Sequence, residues 1–207
     1  MSTARFNKRI YTLPNFIASI RDIFNHLDEL RTATRAGRVS HAFAEKIMLA
    51  VTHVNGCRYC AYGHTRATLA SGVSEAELQK IMSGELGDFP EQDAVALTFA
   101  QHYAESACQP DPAAWKRLSD YYGPHTSQDI LAYLRMITFG NLFGNTFDAF
   151  LSRLVARPAI GSSLLNELGV LLGGFVILPF EMFKRLIKRL FTRHQQVGTN
   201  HPLTKEK

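Results

Sequence analysis

The stretch EKIMLAVTHVNGCRYCAYGH, residues 45–64, decides how this chain is read. Ile47 to Val54 is apolar on most sides, so Glu45 places a carboxylate on an otherwise core-like helix. Asn55-Gly56 is a natural stop for a helix that begins near Ser40, because glycine suits the position just past a helix end. A second helix then starts at about Cys57. Cys57, Cys60 and His64 follow one another at steps of three and four residues, which in a helix share a face. A thiol becomes a useful nucleophile only as the thiolate. Three features favour that form here: a helix N-terminus under the cysteines, an imidazole one turn beyond Cys60, and a second sulfur able to close a disulfide.

Counting outward from the turn tests whether Glu45 belongs to the same group. At about 1.5 Å rise per residue, Glu45 lies about 15 Å before the turn and His64 about 12 Å after it. If the two helices fold back on each other, carboxylate and imidazole come to similar heights. A Glu accepting a hydrogen bond from one ring nitrogen fixes the tautomer and raises the basicity of the other, which is left for a thiol or a bridging water.

The spacing Glu-x11-Cys-x-x-Cys-x3-His resembles the core motif of the alkylhydroperoxidase D and carboxymuconolactone decarboxylase superfamily, in the branch that keeps both cysteines. The resemblance extends over roughly residues 10 to 155 and includes the turn and helix start at Gly72-Val73-Ser74-Glu75-Ala76-Glu77. It implies that Cys60 is the peroxide-reactive thiol, Cys57 its disulfide partner, and His64 with Glu45 the proton relay. It further implies reduction of small organic hydroperoxides or disulfide reduction, with an external dithiol or thioredoxin-like electron donor and neither metal nor organic cofactor. Trimers or hexamers are implied as well. Peroxidases of the family often carry a His between the cysteines; here Arg58-Tyr59 stands instead.

Composition agrees with one buried domain and an extension in 207 residues. Apolar residues make up 46% and mean hydropathy is near zero, at −0.08, as in a globular core. Three cysteines, two of them in a CxxC, make a poor extracellular disulfide framework, and Met1 to Arg9 lead into no apolar signal core. A reducing, cytoplasmic setting is the expectation, with peripheral membrane association through the C-terminus as an addition. The net charge of +5 is localised: residues 184–207 hold seven Lys/Arg against Glu206, leaving −1 for the rest. A neutral body with a cationic tail is not the footprint of a nucleic-acid binder.

Helical periodicity dominates and no convincing strand is found. Pro14 opens a helix with apolar steps from Phe16 to Leu30, ending near Gly37. Ser74 and Glu77 form a capping box. Asp93 to Cys108 is a further helix, Asp111-Pro112 starts another that closes at Gly123-Pro124, and a long apolar helix runs from about Ser127 to Val155. This is an all-α bundle of antiparallel helices over residues 1–157, with a C-terminal helical extension at 158–207. In the extension, Leu168 to Phe180 is almost wholly apolar, is bracketed by Glu167 and Glu181, and is too short for the roughly 20 residues that span a bilayer. Phe183 to Phe191 follows as a cationic amphipathic helix, which suits a membrane surface, a partner or the domain itself. The polar end after Gln195 is expected to lack order.

Three readings compete for the motif. The first is the dithiol peroxidase or disulfide reductase. The second is a lyase acting on a small lactone acid, which leaves the CxxC unexplained. The third is a non-enzymatic helical module: a membrane-associated scaffold, or a zinc site on Cys57, Cys60, His64 and His53, whose ligands would lie along one helix with a doubtful fourth. His53 otherwise serves packing, Cys108 reads as a small buried hydrophobe, and Tyr59 and Tyr62 wall the pocket or fill core. Asn141 and Asn145 either line a cavity or bond across helices.

Overall fold

The computed structural model describes the backbone of residues 6–199 and the side chains of residues 6–187. Among the described residues there are eight helices and no strand, the all-α architecture expected. They are α1 (Leu13–Asn25), α2 (Leu27–Ala36), α3 (His41–Asn55), α4 (Arg58–Ala70), α5 (Glu75–Ser83), α6 (Glu91–Glu105), α7 (Pro112–Leu154) and α8 (Leu164–Thr199). Local chemistry sets the ends. Thr12, Ser40, Ser74 and Asp111 cap α1, α3, α5 and α7 through their side-chain oxygens, and the Ser74–Glu77 box is reciprocal. Gly37 and Gly56 end α2 and α3 in the left-handed conformation.

One expected element differs in detail. The helix read from Pro14 to Gly37 is two helices, because the backbone leaves helical geometry at His26. Both the His26 N–H and its Nδ1 fall within hydrogen-bond reach of the Asp22 carbonyl, at 3.0 and 2.8 Å. The stop expected at Gly123-Pro124 is found: Gly123, at φ 76°, ψ 165°, leaves helical geometry and divides α7 into two helical stretches. Ser127 Oγ lies within hydrogen-bond reach of the carbonyls of Leu118, before the break, and of Gly123, at it.

Helix α3 is the centre of the bundle and packs against α4, α5, α6 and α7. Its Ile47, Leu49, Ala50 and Val51 meet Leu78, Ile81, Leu97, Ala100, Leu118, Ile130 and Leu134 in one apolar core. Each large aliphatic side chain so buried contributes about 1.5–3 kcal/mol. A second cluster of Tyr11, Phe16, Ile20, Leu142 and Val170 joins the N-terminal segment and α1 to α7 and α8.

Helix α8 lies on α1 and α7 through glycines. Ideal β-carbons on Gly169, Gly173 and Gly174 would lie 3.3–3.4 Å from Leu13, Phe16 and Phe143. Glu167, fully buried, accepts two hydrogen bonds from Arg153 at 2.7 and 2.9 Å. Helical structure continues to Thr199, beyond the expected end of order at Gln195, while Lys205 and Lys207 lie outside the described residues. No helix among the described residues is long and apolar enough to cross a membrane.

Candidate active site

The α3–α4 hairpin turns at Gly56 (φ 66°), whose N–H donates to Thr52 O, and this turn delivers Cys57 to the N-cap of α4. At that position a side chain receives the free N–H groups of the first turn, and Cys57 Sγ accepts from the Cys60 N–H at 3.3 Å. Both cysteines are free thiols, with the sulfurs 2.7 Å apart. Cys57 is 0% exposed, whereas Cys60 is half-buried.

The hydrogen bond between the sulfurs separates their acidities. It is the largest influence lowering Cys57 from 9.0 to about 7; burial opposes it, while the N–H groups of Cys60 and Tyr59 and the charge of Lys8 assist. The same bond, with burial, pushes Cys60 up, and Asn141 partly offsets this. Negative charge therefore rests on Cys57, where backbone donors point, and the Cys60 thiol donates to it.

Glu45 is 5% exposed on α3, and its Oε2 lies 2.7 Å from His64 Nδ1 on α4. A carboxylate can only accept, so Nδ1 carries the hydrogen, and in the neutral ring the lone pair is on Nε2. The back-to-back packing inferred from the residue count is the arrangement found. Sequence reasoning missed His41, one turn before Glu45, whose Nδ1 is 4.0 Å from Glu45 Oε1.

The fourth wall is α7. An ideal β-carbon on Gly144 would stand 2.8 Å from Cys57 Sγ and 3.9 Å from Cys60 Sγ. One turn earlier, Asn141 donates to Thr52 Oγ1 at 3.1 Å and accepts from Asn55 at 3.2 Å. Asn145 donates to the carbonyls of Asn55 (2.7 Å) and Arg9 (3.0 Å). The two asparagines thus bond across helices, and Asn141 also meets Cys60. One turn later, buried Asp148 holds Lys8 at 2.7 Å and Arg58 at 2.5 Å. Residues 141, 144, 145 and 148 form a small and polar stripe on the mostly apolar stretch of α7 from Ile137 to Phe150, a signal present in the sequence at helical spacing.

The two residues between the cysteines serve this wall. Arg58 ties the start of α4 to Asp148, and the Tyr59 ring packs on Phe147 with centroids 5.8 Å apart. Tyr62 is exposed. His53 turns elsewhere: its Nε2 would be 3.1 Å from a β-carbon on Gly84, at the end of α5. Cys108 lies apart as well, half-buried after α6 beside Tyr103 and facing a cleft shared with Tyr11 and Arg135.

A family model described as Carboxymuconolactone decarboxylase family matches residues 21–87, which include Glu45, Cys57, Cys60 and His64. No curated protein and no solved structure matches the chain.

Proposed function

We propose, for a chain whose residues 21–87 match the model of the carboxymuconolactone decarboxylase family, that the protein is a thiol-dependent peroxidase reset by an external dithiol. The observation that carries this reading is the paired sulfurs at 2.7 Å, with an imidazole oriented by a buried carboxylate one turn further along α4.

Access assigns the roles. Cys57 is sealed under Gly144, so the half-buried Cys60 meets the peroxide. His64 Nε2 takes the Cys60 proton, directly or through one water. As that proton leaves, the Cys60 sulfur attacks the terminal oxygen of R–O–OH, so that no second full thiolate forms beside Cys57; the S–O bond forms as the O–O bond breaks, and the departing alkoxide takes the proton back from His64 as R–OH. The Cys57 thiolate then attacks the Cys60 sulfenic acid, closing the disulfide and releasing hydroxide, which solvent protonates. An external dithiol supplies two electrons and two protons to restore both thiols.

Mass spectrometry after one equivalent of a small organic hydroperoxide tests the reading. The expected product is a Cys57–Cys60 disulfide with stoichiometric alcohol, and loss of turnover in Cys60→Ser and Cys57→Ser. Wild-type turnover in Cys60→Ser would overturn it. Activity on a lactone acid that survives thiol alkylation would move the protein to the lyase reading.

A further inference from the structure

Helix α8 leaves much of its apolar surface uncovered. Leu165 is 83% exposed, Phe175 80% and Val176 69%, and Leu172, Phe180, Met182 and Phe183 are exposed too. These residues recur at steps of three, four and seven along the helix, so they form a stripe rather than scattered sites. The same helix continues into Lys184, Arg185, Lys188, Arg189 and Arg193 with no acidic residue between them, although Lys184 pairs with Glu181 and Arg185 is held by Asp28 and the Phe24 carbonyl. An apolar face joined to a cationic segment, on a helix unable to span, matches a helix lying in the plane of an anionic bilayer surface. A second copy seated on the stripe would instead bring a second run of Lys188, Arg189 and Arg193 to the same helix, a cost that anionic headgroups turn into a gain.

One edge of the stripe, at Phe175 and Met182, lies on the same side of α7 as the dithiol. On α7, Phe143 touches α8 at Gly174, and Gly144 touches Cys57. At about 100° per residue, Phe147 falls between those two directions, and it carries the Tyr59 ring. On the other side of α7, Leu142 packs with Tyr11, Phe16 and Ile20 of the α1 region. Around α8, Gly173 faces Phe16 of α1, and Phe175, about 200° further round, projects away from it. The exposed rings of Phe147 and Tyr59 therefore bridge the dithiol and the uncovered side of α8.

We infer that α8 docks this protein on an anionic membrane surface and presents the dithiol to hydroperoxides carried on lipid acyl chains. The docking stands independently of the chemistry; the substrate class rests on the peroxidase reading above. The reaction balances as for any R–OOH: the acyl hydroperoxide becomes the acyl alcohol, water forms, and Cys57–Cys60 is oxidised.

The test uses the full chain with vesicles of neutral phospholipid alone, or mixed with an anionic phospholipid, each with and without phospholipid hydroperoxide. Co-sedimentation is expected with anionic vesicles, weakened by high salt, and reduced about tenfold or more in Phe175→Glu/Val176→Glu, both positions being solvent-exposed. That variant should keep wild-type oxidation by a soluble alkyl hydroperoxide while losing about tenfold on the vesicle-borne one. Absence of vesicle binding, or a lower oligomeric state in the variant without any vesicle binding, overturns the docking and gives the stripe to a second copy. Binding with normal soluble turnover but no preference for the vesicle hydroperoxide overturns the substrate class. A dithiol inert to every hydroperoxide, with vesicle binding intact, defeats the peroxidase reading and leaves the docking in place.

Discussion

Gly144 of α7 stands against Cys57 so closely that a β-carbon at that position would lie 2.8 Å from the sulfur. Real β-carbons do not approach so near, and the atom in the way belongs to a short side chain fixed at a helix N-cap, so Cys57 must move. Gly144→Ala should therefore widen the separation from Cys60. The expected results are a loss of about 1–3 kcal/mol in stability by denaturant unfolding and slower disulfide closure after peroxide addition. Sulfenic acid should accumulate on Cys60, read by a trapping reagent. Unchanged closure would mean that α7 does not position Cys57.

His64 and Glu45 act in sequence, one on the reacting proton and the other on the ring. His64→Ala should lower peroxide turnover by about 10²- to 10⁴-fold, the usual range for a lost acid–base group. Glu45→Gln should cost less and should also displace the pH dependence, because the amide no longer enforces the Nδ1–H tautomer. Glu45→Asp, with a shorter reach, should restore part of the rate. A Glu45→Gln variant that lost rate with an unaltered pH profile would make Glu45 merely structural.

Much of this arrangement was legible in residues 45–64, because local rules govern it. Gly56 had to end α3, the i, i+3, i+7 spacing had to put both cysteines and His64 on one face, and antiparallel packing had to bring Glu45 level with His64. The α7 wall was less legible, since it depends on register between helices distant in sequence. Asn141, Gly144, Asn145 and Asp148 could be seen as a polar stripe, yet nothing local said that it faced the dithiol or that Lys8 would share Asp148. The division at His26 was missed for another reason: apolar periodicity from Phe16 to Leu30 persists across a break made by a side chain competing for a backbone carbonyl. The resting position of the thiolate also escaped, because the N-cap donors converge on Cys57 while accessibility favours Cys60.

Cys57, held at about 7 instead of 9.0, sets a pH dependence. Closure of the disulfide on the Cys60 sulfenic acid, which needs the Cys57 thiolate, should quicken as pH increases through about 7 and level off well below the range of an ordinary thiol. Stability of the reduced protein should change with it. A group whose folded pKa is depressed contributes stability present above its unfolded value and lost as pH falls through its folded value. Between about 7 and 9, the folded pair has released a proton that the unfolded chain retains, so stability should climb with pH across that window. Cys57→Ser should flatten this rise. Ultraviolet thiolate absorbance and denaturant titrations at several pH values measure both effects.

Asn145 links the N-terminal segment to the same electrostatics. Its amide donates to the carbonyls of Asn55, in the last turn before Cys57, and of Arg9, the neighbour of Lys8. Replacing it by Ala leaves two carbonyls without this donor in a buried setting, a cost of about 1–3 kcal/mol for each group left unsatisfied. The second consequence distinguishes this site from ordinary core polarity. With the segment around Arg9 released, Lys8 no longer sits beside Asp148 and ceases to favour the Cys57 thiolate. Asn145→Ala should thus both destabilise the fold and move the thiolate titration upward, whereas Thr146→Val, which removes a neighbouring bond to the Tyr11 N–H, should destabilise the fold with a smaller effect on the titration. Equal titration curves for Asn145→Ala and wild type would show that Lys8 keeps its place without this anchor.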